Sequence, residues 1–287
     1  MRPFLRHVVP LSSRLTWKRL LLTIAITVFA TLSLLVVLLL LFQDRMIWLP
    51  RRYPADILDH VPTGLSALKY RTAAGDQVAF VHAPSTAGVD PAKAPLWVFL
   101  YGNAGLALEW ADEMMPAGAT VLMVEYPGYG ACAGAPSPSA MDASIEAALA
   151  AWSARCGHAV SLHGIVGHSM GAAFALRLAC RHPAQHVVLI APYTSLRDMA
   201  QRAVGWPLCW LLRHNLDNVG TLNAVCAQTP TPAIDIFMDH DDEVIPVAMG
   251  RALALSHPGQ VIWHEVTGSG HNAILDVHLG DIVQAIK

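Results

Sequence analysis

The 287-residue chain is long enough for one large α/β domain plus a separate short element, since single domains of roughly 200 to 250 residues are common. Its 19 basic and 21 acidic residues leave a formal net charge of −2, and only 14% of the chain is charged, which excludes the concentrated cationic surface that nucleic-acid backbones require. Cys132, Cys156, Cys180, Cys209 and Cys226 are scattered without a C-x-x-C pair or a Cys/His spacing that would build a metal site, and their odd number prevents complete pairing; buried free thiols are expected, with a Cys209–Cys226 bridge left open.

Residues 1–19 carry Arg2, Arg6, Arg14, Lys18 and Arg19 with no acidic residue. The next stretch, 20–42, has no charge at all. A helix of that length, rising ~1.5 Å per residue, spans the ~30 Å hydrocarbon core of a bilayer. A cleavable signal would have a shorter apolar region and a small-residue cleavage site, which Leu39, Leu40, Leu41, Phe42 and Gln43 do not provide. An uncleaved single-pass anchor is therefore expected. The basic excess before the helix, set against Asp44, Arg45, Arg51 and Arg52 after it, predicts a cytoplasmic N-terminus with the rest of the chain outside the cytoplasm. Pro50, Pro54 and Pro62 mark residues 43–62 as a stalk leading into one domain over 63–287.

Within that domain, 65–71 and 77–82 read as an antiparallel hairpin around Ala73, Ala74, Gly75 and Asp76. The dense apolar runs 96–101 and 120–125 end in Gly-rich or Pro-Gly turns, as buried parallel strands do. A helix is expected over 141–152, a strand over 161–166, a helix over 171–181 ending before His182 and Pro183, and a strand over 186–190. Strand 233–238, helix 247–256 and strand 260–265 complete the chain. This alternation predicts an α/β domain, a mostly parallel sheet with helices on both faces.

Gly167, His168, Ser169, Met170 and Gly171 spell G-x-S-x-G where the 161–166 strand turns into the 171–181 helix. A turn that tight needs small residues on both sides and holds the Ser169 hydroxyl exposed above the sheet. A serine hydroxyl needs a base, and the base needs an acid to hold its tautomer, in the chain order Ser, acid, His. Of the 14 histidines, His271 follows the last strand, whereas His264 falls within it and His278 on a helix. Past strand 233–238 stand Asp239, Asp241, Asp242 and Glu243. Asp242, directly before Val244, Ile245 and Pro246, is the preferred acid, with Asp241 as the alternative. The oxyanion hole needs two backbone N–H groups, expected from Met170 after the nucleophile and from Asn103 in the turn Tyr101, Gly102, Asn103, Ala104, Gly105.

With these residues in view, the chain from about Asp44 onward resembles the α/β-hydrolase superfamily, and within it the small branch of membrane-anchored α/β-hydrolase domain-containing proteins. The resemblance rests on turns 101–105 and 126–130, the elbow 167–171, the strand exit 192–196 and the acid turn 242–246. It implies an α/β-hydrolase fold and favours Asp242 over Asp241 as the acid. Tyr101 stands where that branch has His, and Pro127 where it has Arg. Because the oxyanion donor is a backbone group, the first departure concerns local packing. The resemblance also implies a short cap insertion over 195–229, where Trp206, Trp210, Leu211 and Leu212 could line an acyl pocket or pack against the sheet.

The expected function is thus two-step acyl transfer at Ser169 by a membrane-tethered serine hydrolase. Its expected partners are a small-molecule or lipid-like ester or thioester and the membrane, with no cofactor or metal implied. The same three residues would also suit a peptidase or amidase, and the same fold could serve a catalytically silent binding protein.

Overall fold

The computed structural model describes residues 13–110 and 118–285, apart from residues 85 and 87. Arg2 and Arg6, which contribute to the expected orientation, lie outside the described residues. The chain divides into two compact units, Met1–Ile47 and Trp48–Lys287.

The first unit holds one helix, α1, Ser13–Ile47, 35 residues long. Its stretch Thr16–Ile47 reaches a mean hydropathy of 2.9, long and apolar enough to cross a membrane. The helix extends past both ends of the uncharged 20–42 segment, because its flanking residues are good helix formers with no Pro or Gly until Pro50.

The second unit is built on one eight-stranded sheet in the order β1-β2-β4-β3-β5-β6-β7-β8. Strands β1, Leu65–Thr72, and β2, Gly75–His82, form the antiparallel opening hairpin, and β2 pairs antiparallel with β4. From β4, Thr120–Val124, through β3, Leu96–Leu100, to the far edge, neighbouring strands run parallel. The remaining strands are β5, Leu162–His168, β6, Ala184–Ile190, β7, Ala233–Asp239, and β8, Val261–Val266. Every residue of β3 and β4 is buried, which is why these strands read as unbroken apolar runs instead of alternating.

Helix α2, Pro138–Cys156, extends beyond its expected span at both ends. The Ser137 hydroxyl accepts the Ala140 N–H, Pro138 occupies the first turn, and Gly157 closes the other end at φ 76°. Helix α3, Met170–Arg181, is buried along most of its length, and Arg177 and Arg181 bridge to Asp142 and Glu146 of α2. Strand β5 runs two residues further than expected because its ladder with β6 continues to His168 opposite Ile190. Among the described residues all five cysteines are free, so Cys209 and Cys226 do not pair.

The sheet order fixes where a site can form. From β3 the chain steps outward to β4, then reverses past β3 to β5 and onward to β8. Right-handed crossovers in opposite directions lie on opposite faces, so a crevice opens at the carboxyl ends of β3 and β5. Leu100 pairs with Gly167 there, setting the turn after β3 beside the turn after β5.

Candidate active site

Ser169 stands between β5 and α3 at φ 54°, ψ −116°, a conformation a non-glycine residue holds only when its surroundings enforce it. Two constraints enforce it here. The Ser169 N–H donates to the Ile190 carbonyl at 2.8 Å. On either side, glycine permits contacts that a side chain would block: a Cβ at Gly171 would overlap the Leu100 carbonyl, and one at Gly167 would lie 2.5 Å from the Gly171 carbonyl oxygen. The elbow is therefore wedged against the end of β3. Met170 opens α3, so its N–H has no acceptor within the helix, and the positive end of the helix dipole lies at the same point.

His271 reaches the elbow from the loop after β8. Its Nε2 accepts the Ser169 hydroxyl at 3.0 Å and its Nδ1 donates to Asp242 Oδ2 at 2.8 Å. The Asp242 side chain is fully buried and that of His271 is 6% exposed, so solvent does not compete for this hydrogen bond. Asp242 is itself held, because its Oδ1 accepts the N–H groups of Val244 and Ile245 at 2.8 and 2.7 Å.

The other acids of the same turn have different work. Asp241 Oδ2 accepts the Gly268 N–H at 3.1 Å, and Glu243 Oε2 accepts the His271 N–H at 3.1 Å. Asp239 is buried; it accepts the N–H groups of Asp241, Ser269 and Gly270 and the Ser269 hydroxyl. Burial alone would raise its pKa, but those donors hold it below the usual Asp range. All four carboxylates thus converge on the loop that carries His271. The two rival histidines are engaged elsewhere. His264, in β8, stacks on Phe237 and meets Asp235 at 2.7 Å, and His278 donates to the Thr267 carbonyl.

The turn after β3 passes beside the nucleophile: a Cβ on Gly102 would lie 3.2 Å from that of Ser169. The Asn103 side-chain oxygen accepts the Tyr129 hydroxyl at 2.6 Å and the Leu49 N–H at 3.1 Å, which pins the turn from outside. Residues 48–62, read from sequence as a stalk, are folded onto this region: Gly130 N–H donates to the Arg51 carbonyl and Arg51 pairs with Glu109.

Two residues that the sequence reading passed over complete the site. His168, fully buried, donates from Nε2 to the His271 carbonyl at 3.2 Å, and its Nδ1 has no partner. Burial, with His271 close by, pushes it down to about 3, so it stays neutral. Glu125, also fully buried, accepts the Tyr53 hydroxyl at 2.5 Å, the Ala107 N–H at 2.7 Å and the Tyr101 hydroxyl at 2.6 Å. Burial raises its pKa despite these donors. Tyr101, where the resembled branch carries His, is thus a buried donor to Glu125, and Tyr126 donates in turn to the Tyr101 carbonyl.

Among the described residues no group of three or more His, Cys, Asp or Glu side chains is placed to hold a metal ion. The cap insertion comprises α4, Leu196–Val204, a 3-10 turn, Leu208–Leu211, and α5, Asn218–Cys226. Its Trp206 and Trp210 are exposed, and neither is packed into the sheet.

A family model described as serine aminopeptidase, S33, matches residues 101–232, a span that includes Ser169 and ends before Asp242 and His271. An uncharacterized protein of Mycobacterium tuberculosis is 28% identical over 234 residues, 80% of each chain. Human alpha/beta hydrolase domain-containing protein 17B is 31% identical over 170 residues, which are 58% of this chain and 54% of that protein. Among solved structures, an α/β serine hydrolase without a lid from Xanthomonas campestris superposes with a TM-score of 0.53 at 18% identity, covering 78% of this chain and 93% of that one.

Proposed function

Because the chain belongs to the α/β-hydrolase superfamily, we propose that it is a serine hydrolase that cleaves ester or thioester bonds through an acyl-enzyme on Ser169, while α1 anchors it in a membrane. The observation that carries this reading is the continuous chain of contacts from Ser169 Oγ through the His271 ring to Asp242.

Attack by Ser169 Oγ on the substrate carbonyl passes its proton to His271 Nε2. Asp242 keeps the Nδ1 proton in place and stabilises the imidazolium without taking a proton itself. The oxyanion forms beside the Met170 and Asn103 N–H groups. Collapse expels the alcohol or thiol, which takes the proton from His271, and water activated by the same imidazole then releases the acid. The low pKa of His168 favours one proton acceptor at the elbow, since a second cation there would repel the imidazolium.

The length and hydropathy of α1 support the anchor, and the basic flank supports a cytoplasmic N-terminus with the hydrolase domain on the other side. A domain held at a bilayer surface suits lipid or acylated substrates. A peptidase or amidase is the second reading, favoured by the family model's own description; a panel of matched ester, thioester and amide substrates separates the two. Labelling with a fluorophosphonate probe tests the mechanism. The native chain should label, and Ser169→Ala and His271→Ala should not. Labelling that survives Ser169→Ala would move the nucleophile elsewhere.

A further inference from the structure

Residues 49–53 run between the turn after β3 and the turn after β4 and are hydrogen-bonded to both. On one side the Gly130 N–H donates to the Arg51 carbonyl at 2.8 Å, and the Arg52 guanidinium donates to the Cys132 carbonyl at 2.6 Å. A Cβ on Gly130 would lie 2.8 Å from the Tyr53 ring, so glycine lets the two stretches close on each other. On the other side the Leu49 N–H donates to the Asn103 side-chain oxygen at 3.1 Å, and Arg51 Nη1 donates to the Ala104 carbonyl at 3.2 Å. Tyr53 reaches further along the chain, its hydroxyl accepting the Leu108 N–H at 2.9 Å while it donates to Glu125.

These contacts fall where the turn after β3 is least able to hold itself. Ala104 stands at φ 59°, in the left-handed region that side chains disfavour. The turn's own backbone bond, from the Gly105 N–H to the Gly102 carbonyl, is long at 3.3 Å. Residues 49–53 grip Asn103 by its side chain and Ala104 by its carbonyl. Those are the residue whose N–H is assigned to the oxyanion and the one that follows it.

Stability does not account for Arg51. Its side chain is 51% exposed and that of Glu109 is 40% exposed, and an exposed ion pair contributes little to folding. What the pair fixes is direction. Glu109 takes both ends of the guanidinium, at 2.8 and 2.7 Å, and also accepts the Leu106 N–H at 3.2 Å. The planar fork is thereby aimed so that Nη1 meets the Ala104 carbonyl.

We infer that Arg51 is a positioning residue for acyl transfer: acting on the Ala104 carbonyl, beside the Leu49 N–H on Asn103, it holds the oxyanion turn where the Asn103 N–H meets the developing charge. The inference rests on the serine-hydrolase reading above. The segment that follows α1 is then part of the catalytic apparatus and not a spacer. A donor held out of place weakens the tetrahedral state more than it weakens substrate binding, so the loss belongs in kcat and not in KM.

The test uses the full chain in detergent, with the rate of fluorophosphonate labelling and the hydrolysis of p-nitrophenyl butyrate as readouts, both per folded molecule. A native chain no more reactive than Ser169→Ala in either readout removes the serine-hydrolase reading and this inference with it. Arg51→Gln should slow labelling and lower kcat by about ten- to a hundredfold, with KM within about twofold and an unchanged melting temperature. Arg51→Lys, which keeps a donor for the Ala104 carbonyl, should recover part of the loss. Arg71→Gln, which breaks an exposed pair with Asp76 on the opening hairpin, should match the native chain. Folded Arg51→Gln that labels and turns over at the native rate would overturn the inference, whatever its melting temperature. So would a raised KM at unchanged kcat, which would assign Arg51 to substrate binding, or an equal loss in Arg71→Gln.

Discussion

Removing the Glu125 side chain should damage the protein more than any surface substitution, and the structure sets the size of the effect. Glu125→Ala leaves the Tyr101 hydroxyl and the Ala107 N–H without an acceptor in a fully buried place, and the part-buried Tyr53 hydroxyl without its acceptor. Each buried unsatisfied donor costs about 1–3 kcal/mol, so the loss should reach at least ~2 kcal/mol before any cavity is counted. That is a large fraction of the ~5–15 kcal/mol by which a domain is stable. Glu125→Gln keeps one oxygen for Tyr53 and Ala107 and turns its amide toward Tyr101, leaving a single hydroxyl unpaired, about 1–3 kcal/mol. The pH dependence adds a sign. Burial raises the native pKa of Glu125, so as pH climbs past ~4.3 the unfolded chain ionises first and native stability falls until the raised native value is passed. The glutamine variant has no such loss. Its deficit against the native chain should therefore be widest near pH 4 and narrow toward pH 8, as read from urea unfolding of the full chain in detergent. An alanine variant within ~1 kcal/mol of native, or a glutamine deficit that widens with pH, would refute the reasoning.

Four further outcomes follow from the site. Asp242→Asn should lower kcat by about 10⁴ through the wrong imidazole tautomer, while Asp241→Asn, losing one loop hydrogen bond, should cost at most about tenfold in ester turnover. Asp239→Asn should destabilise by about 3 kcal/mol at neutral pH, the worth of one or two charge-assisted bonds. Because the native carboxyl titrates low, that stabilisation is present above the unfolded value of ~3.9 and is lost as pH falls through the native one, so thermal melts of the two proteins should converge in acid. Gly171→Ala, whose methyl would overlap the Leu100 carbonyl, should cost about 1–3 kcal/mol or more in melts and reduce probe labelling in the chain that remains folded.

The sequence carried Ser169, His271 and Asp242 because each sits in a short signal next to a strand or helix boundary. The parallel strands were equally plain, since burial on both faces writes itself as consecutive apolar residues such as 96–100 and 120–124. The division of labour among Asp239, Asp241, Asp242 and Glu243 was not legible, because it depends on which carboxylate meets which N–H of a loop some 30 residues later. Glu125 was hidden for the same reason: its donors come from Tyr53, Tyr101 and Ala107, and only the fold collects them. Trp206 and Trp210 looked like lining or packing residues, since an apolar composition does not say which way a short segment faces.

The four carboxylates of 239–243 grip the loop of His271 mostly by its backbone. Whatever side chains that loop carries, its path is dictated by acids from a different part of the chain. Anyone exchanging segments between this protein and a relative should therefore move residues 239–243 and 267–273 together. A loop transplanted alone would arrive with its histidine but without the acceptors that aim it, and a single inserted residue in either segment would shift every pairing by one. The two stretches form one exchangeable part, although more than twenty residues separate them in sequence.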